Sequence, residues 1–225
     1  FNNIVNENTT SSRQLIIHEV MGRNCGWLTA ATAYQYRKLL NQKEFIPELL
    51  IDKQKWDIHA IYLPEKEIDF KNECIRLNKI MDHHDCVNIF LSEGAGLNAI
   101  IQEMESNNEE IKYDAFGHVR LDEINPGLWF AKNLKEKLNA DKVLVQKSGY
   151  FSRSAAPNSD DINLIKETAK LAVESALNNI SGVVGLDEDN NNQMKCIEFN
   201  RIKGGKPFDI NLDWFKNMLE DIKQK

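Results

Sequence analysis

One stretch near the start of the chain limits its fold more than any other: Gln14-Leu-Ile-Ile-His-Glu-Val-Met-Gly-Arg-Asn-Cys-Gly-Trp-Leu28. Leu15, Ile16, Ile17 and Val20 form an apolar, β-branched run that predicts a buried strand. Gly22 breaks the run, and helical spacing follows from Asn24. A strand, a glycine break, an arginine and a helix start, in that order, make a place to hold an anion. Backbone N–H groups at a helix start face such a ligand, and Arg23 adds a planar charged fork. A buried turn with a solvated arginine satisfies the same local pattern, so the rest of the chain has to decide.

The pattern recurs. Val87, Ile89, Phe90 and Leu91 predict a second strand, followed by Ser92-Glu93-Gly-Ala-Gly96 and a helix from Leu97 to Met104. In open α/β sheets ligands sit at the carboxyl ends of strands. Glu93 is thus placed either to accept hydrogen bonds from a polyhydroxyl ligand or simply to start a solvated loop. Lys142 to Gln146 is a third strand, and Lys147-Ser-Gly-Tyr-Phe-Ser-Arg153 gathers two cations and a tyrosine at its end. His59 to Leu63 reads as a further strand closed by Pro64. Phe45 to Ile51 reads as a short edge strand bent by Pro47.

Helical spacing covers Cys25 to Leu40, and Asp69 to Asp85 with Asp69 near the cap. It also covers Asn125 to Leu138 with Leu128, Trp129, Leu134 and Leu138 inward. Ile162, Ile165, Ala169, Ala172, Val173, Ala176 and Leu177 recur at three- and four-residue steps and predict a helix from Asp160 to Asn178, with Asp160 and Asp161 in its first turn. Ser181 to Leu186 and Gln193 to Phe199 predict a β-hairpin around a polar loop. Leu212 to Ile222 closes the chain as a short helix with Trp214, Phe215, Met218 and Leu219 inward. Alternating strands and helices give an α/β class with a mainly parallel sheet flanked by helices, plus the hairpin and short helix near the C-terminus.

Composition narrows the ligand. The net charge of −6 over 225 residues excludes general polyanion binding, so no nucleic acid is expected and a phosphate site must rest on a few local cations. No apolar run approaches a membrane span. With no secretory signal visible, Cys25, Cys74, Cys86 and Cys196 are expected as reduced thiols in a cytoplasmic protein. Their spacing matches no zinc pattern, and the adjacent His83 and His84 are read as surface residues near a helix end. Arg201-Ile-Lys-Gly-Gly-Lys-Pro207 can bend around a phosphate, although a solvated turn is the plainer reading.

Cations and a carboxylate at three strand ends suit a phosphorylated sugar, and here the residues resemble a known family. His18-Glu-Val-Met-Gly-Arg-Asn-Cys-Gly-Trp27 resembles the Glu-Val-Met-Gly-Arg-His-x-Gly motif of 6-phosphofructokinases. Ser92-Glu93-Gly94 resembles that family's strand-end Glu-Gly, and Gln146-Lys147-Ser-Gly149 its Gln-Arg-Gly-Gly. Tyr150-Phe151-Ser152-Arg153 with Ala-Ala-Pro157, and Ile202-Lys-Gly-Gly-Lys-Pro-Phe-Asp209, resemble the pyrophosphate-dependent branch. The resemblance runs from about Gln14 to the end of the chain.

The resemblance implies transfer of a phosphoryl group from pyrophosphate to the 1-hydroxyl of fructose 6-phosphate, with Mg²⁺, in a glycolytic homo-oligomer. Met21, Gly22 and Arg23 would bind the sugar phosphate and Glu93 the sugar. Tyr150, Phe151, Ser152 and Arg153 would hold the 6-phosphate end, and Lys147 would reach a site shared with a neighbouring subunit. The family's Gly-Gly-Asp-Gly and Thr-Ile-Asp-Asn-Asp segments, which hold the donor, the base and the metal, are absent from residues 1–225. Asn24 stands where the family usually has His. Gln14, with Arg13 beside it, falls near the register of an arginine that crosses between subunits, and that role is not carried over. The chain is therefore expected to be the carboxyl-terminal, fructose 6-phosphate-binding part of the enzyme, without the phosphoryl-donor part, and inactive alone. Catalytic base and Mg²⁺ ligands are expected upstream of Phe1. The alternatives are an ATP-dependent 6-phosphofructokinase and a non-catalytic sugar-phosphate-binding subunit.

Overall fold

The computed structural model describes residues 1–49, 51–202 and 204–224; the side chains of Asp122, Ser152 and Arg153 lie outside that description. The chain divides into two compact units, Phe1–Gly149 with Lys206–Lys225, and Tyr150–Gly205.

In the first unit, β1 (Gln14–Val20), β2 (Ala60–Tyr62), β3 (Cys86–Ser92) and β4 (Lys142–Lys147) form a parallel sheet in the order β2-β3-β1-β4. Strands β1 and β3 are buried at every position. Their side chains alternate between two cores, as a pleated strand dictates. Leu15, Ile17, Val87, Ile89 and Leu91 join Leu77, Met81, Phe130 and Leu134 on one face. Val20, Ile61 and Phe90 join Ala30, Ala33, Leu40, Phe215 and Met218 on the other. Helices α2 (Phe70–His84), α3 (Leu97–Ser106), α4 (Leu121–Ile124) and α5 (Pro126–Lys137) follow in chain order, after α1 (Trp27–Leu40). Asp69 caps α2 by accepting from Asn72 N, and Pro126 occupies the first turn of α5.

Several sequence expectations change. Among the described residues of the Phe45 to Ile51 stretch there is no strand: a bridge joins Ile46 to Ile51 and a 3₁₀ turn covers Pro47–Leu49, where Pro47 cannot donate to a ladder. Leu128 points outward, and Phe130 takes the buried position. Arg13 donates to Asp82 at 2.8 Å and to the carbonyls of Asn139 and Leu138. It therefore fastens the amino-terminal end of the sheet, the end opposite the strand-end cluster.

The second unit holds α6 (Gly149–Ser154, which begins one residue before it), α7 (Ser159–Leu177) and an antiparallel hairpin of β5 (Val183–Asp187) and β6 (Gln193–Ile197). Asn158 and Asp161 form a capping box at the start of α7. Thr168, Leu171 and Ser175 are the less exposed line of α7, and Thr168 reaches Met194 of β6. The helix forms where the spacing predicts it, and the residues that mark it are exposed, with Val173 at 60% and Leu177 at 78%. The helix is apolar on more than one side, so spacing alone cannot select the packed face. Arg201 ties the hairpin together through Asp187, Asp189 and Glu198. In the first unit, α8 (Asp213–Asp221) buries Phe215, Met218 and Leu219, as its spacing predicts.

Two buried histidines make the fold sensitive to acid. Burial lowers His18 and His59 to a pKa of about 4, from about 6.5. The unfolded chain therefore binds protons between pH 6.5 and 4 that the folded chain refuses. Stability is complete above pH 6.5 and falls as pH drops through that window. Denaturant unfolding at pH 5 against pH 7 is expected to show a loss of about 2 kcal/mol per histidine. An unchanged unfolding free energy would contradict this.

Candidate functional site

The carboxyl ends of β1 and β3 carry two loops that interlock. Glu93 N donates to Val20 O at 3.0 Å, which carries the β1–β3 pairing one step past the strands. The chain then turns at Gly22, with φ +146°, a conformation few side chains adopt. Ser92 Oγ donates to Gly22 O at 2.6 Å, and Glu93 Oε1 accepts from Gly22 N at 3.1 Å. Both backbone groups of the turn are therefore held by adjacent residues of the other loop. The approach is close enough to require a second glycine. A Cβ at Gly94 would lie 1.8 Å from Arg23 O.

Arg23 leaves this turn half-buried, with Nη1 3.5 Å from Asp114 Oδ2. Asp114 is fixed by its own turn, accepting from Phe116 N and His118 N at 2.9 Å each. Those bonds, that from His118 first, lower its carboxyl below the usual range. The guanidinium thus makes one long contact to a fixed carboxylate and has further donors to offer. A cavity of about 650 Å³ opens beside it, lined by Arg23, Asn24, Glu65, Gly94, Gly96 and Trp129 among others. A cavity of about 820 Å³ lined by Arg37, His59 and Lys79 involves none of the predicted site residues.

The start of α1 does not serve the anion as the sequence suggests. Helix α1 begins at Trp27, and Gly26 N donates to Glu65 Oε1 at 2.8 Å. The same oxygen accepts from Phe208 N at 2.8 Å. A carboxylate of the chain itself therefore occupies the positive end of the helix. Glu65 follows Pro64 at the end of β2, so the strand-end rule applied to Arg23 and Glu93 could have found it.

Met21, Gly22, Arg23, Glu93 and Lys147 all belong to the first unit and share the carboxyl edge of its sheet. A Cβ at Gly149 would lie 3.2 Å from Met21 Sδ, so the end of β4 packs beside the turn. Lys147 Nζ lies 3.2 Å from Glu19 Oε1. Glu19 is a second carboxylate that the strand-end reading passed over. Tyr150 and Phe151 lie in the second unit and are 86% and 72% exposed. The side chains of Ser152 and Arg153 lie outside the described residues. Among the described residues no group of three or more His, Cys, Asp or Glu side chains could hold a metal ion. The four cysteines are free thiols. No helix among the described residues is long and apolar enough to cross a membrane.

Comparison with known proteins decides the family. The model of the family described as "Phosphofructokinase" matches residues 2–176. The chain belongs to the phosphofructokinase family. Two curated relatives are each named pyrophosphate–fructose 6-phosphate 1-phosphotransferase. The Methylomonas methanica protein is 55% identical over 224 residues, covering 100% of this chain and 55% of the relative. The Methylotuvimicrobium alcaliphilum protein shows the same identity and the same coverage. This phosphofructokinase-family chain thus spans about half the length of those relatives. A crystal structure of a pyrophosphate-dependent phosphofructokinase from Marinobacter aquaeolei shares the fold, with a TM-score of 0.56 at 21% identity. It is matched over 99% of this chain and 51% of its own.

The interlocked glycines give a direct test. Gly94→Ala is expected to lower the unfolding free energy by about 2–4 kcal/mol, because backbone must move to admit the methyl group. Gly185→Ala, where a Cβ meets nothing within 4 Å, is the control and should stay within about 0.5 kcal/mol. Equal effects in thermal or denaturant unfolding would show that the two loops do not interlock.

Proposed function

We propose that residues 1–225 supply the fructose 6-phosphate side of a pyrophosphate-dependent 6-phosphofructokinase. The observation that carries the reading is the Gly22–Arg23 turn, gripped on both backbone groups by Ser92 and Glu93 at the carboxyl end of the sheet. The relatives' names supply the reaction, and their identity runs the full length of this chain.

In this reading the turn receives the phosphosugar. Arg23 pairs with phosphate oxygens, displacing the weak contact to Asp114, and Lys147 adds charge from the end of β4. The carboxylate of Glu93 accepts from a sugar hydroxyl while still holding Gly22 N. A role for Arg153 at the 6-phosphate rests on the resemblance of the Tyr150–Arg153 segment to the pyrophosphate-dependent branch. Phosphoryl transfer depends on positioning and charge neutralisation more than on covalent help. Fixing the sugar phosphate in a turn that cannot relax aims the 1-hydroxyl at the donor. When bound, Mg²⁺ neutralises the charge of the transferred group. The described residues do not gather a site for it, so no step is assigned to a metal here. We place the donor site, the base that takes the hydroxyl proton and the metal ligands in the part of the relatives' length that this chain does not cover. The homo-oligomer is proposed on the same footing.

Steady-state assays of the intact protein test the reading. Turnover of fructose 6-phosphate is expected with pyrophosphate and not with ATP. Arg23→Ala is expected to raise the KM for fructose 6-phosphate by at least about ten-fold, the loss of a charge-assisted pair. Turnover with ATP alone would overturn the donor, and an unchanged KM would overturn the site.

A further inference from the structure

Glu19 is the penultimate residue of β1 and is only 6% exposed. Its register partner on the neighbouring strand is Lys147. One carboxylate oxygen, Oε2, accepts from Gly127 N at 2.8 Å, in the first turn of α5. The other, Oε1, lies 3.2 Å from Lys147 Nζ. Ser148 N donates to Glu19 O at 3.1 Å, which holds the end of β4 in line. A Cβ at residue 127 would sit 2.3 Å from Glu19 Oε2, so the helix start approaches the carboxylate as only glycine allows.

A buried carboxylate needs partners, and this one has a helix-terminal N–H and one ammonium. Lys147 is different: its side chain is 47% exposed. An ammonium carries three donors, so the ion pair with Glu19 leaves capacity for an anion arriving from solvent. A flexible lysine held by an ion pair before the ligand arrives loses less freedom when it binds.

We propose that Glu19 is a positioning residue. It holds the Lys147 ammonium at the carboxyl edge of the sheet, beside the Met21–Arg23 turn, so that Lys147 and Arg23 present a paired cationic seat to the sugar phosphate. This rests on the reading of Lys147 as a substrate contact. Neither Gly127 nor Glu19 need touch the substrate; Glu19 acts through Lys147.

A double-mutant cycle in the intact protein tests it, with KM for fructose 6-phosphate and kcat measured under pyrophosphate. Glu19→Gln keeps the shape and an acceptor for Gly127 N but loses the charge that tethers Lys147. It is expected to raise KM about five- to ten-fold with kcat nearly unchanged. Glu19→Asp, which keeps the charge on a shorter arm, should recover part of the loss. The Glu19→Gln, Lys147→Ala double variant should be no worse than Lys147→Ala alone. Additive effects in that cycle, or a fall in kcat at unchanged KM, would overturn the proposal. So would loss of the fold in both Glu19 variants, which would make the residue structural. If Lys147→Ala itself leaves KM unchanged, the substrate role of Lys147 fails first. A raised KM for Lys147→Ala beside an unaffected Glu19→Gln would sink the positioning role alone.

Discussion

The carboxyl edge of the sheet depends on the grip of Ser92 and Glu93 on Gly22. A turn at φ +146° has no regular partner for its N–H and carbonyl, and unpaired backbone groups are costly where water is limited. The two adjacent side chains of the β3 loop satisfy both. Because Gly94 lies against Arg23 O, neither loop can move without the other. Arg23 therefore leaves a backbone that is held on both sides of the turn.

Carboxylates do the same service at neighbouring strand ends. Glu65 beyond β2 accepts from Gly26 N, Glu19 of β1 accepts from Gly127 N, and Glu93 beyond β3 accepts from Gly22 N. Each joins a strand end to a loop or helix start, and each meets a glycine. A carboxylate that accepts from a backbone N–H tolerates partial burial. The acids thus build the frame, while Arg23 and Lys147 keep donors for an anion. This division of labour suits a chain whose overall charge is negative yet whose family handles phosphates.

The frame was legible in the sequence where it is written in local patterns. The apolar runs of β1 and β3, the glycine breaks after them and the Asp69 cap all appear as expected. What spacing could not reveal was which polar strand-end residue turns inward. Strand-end position leaves Glu93 facing either a ligand or solvent, and does not show that its carboxylate reaches Gly22, 71 residues away. Glu19 sits inside a motif that was read only for its Met-Gly-Arg, and its partner Gly127 is 108 residues distant. Contacts of that range leave no mark in a window of a few residues. In α7 the spacing marks the helix itself, but a helix apolar on several sides gives periodicity no preferred face. Met21, Gly22, Arg23, Glu93 and Lys147 lie in one unit, while Tyr150–Arg153 lies in the other.

The most direct measurement is a titration of the 225-residue chain with fructose 6-phosphate, followed residue by residue through backbone amide NMR. The account predicts that the largest shifts fall on Gly22, Arg23, Asn24 and Gly94, with Ser148 and Gly149 next. Largest shifts at the opposite end of the sheet, around Ile58 to Ala60, or no saturable shift at Gly22, would contradict it.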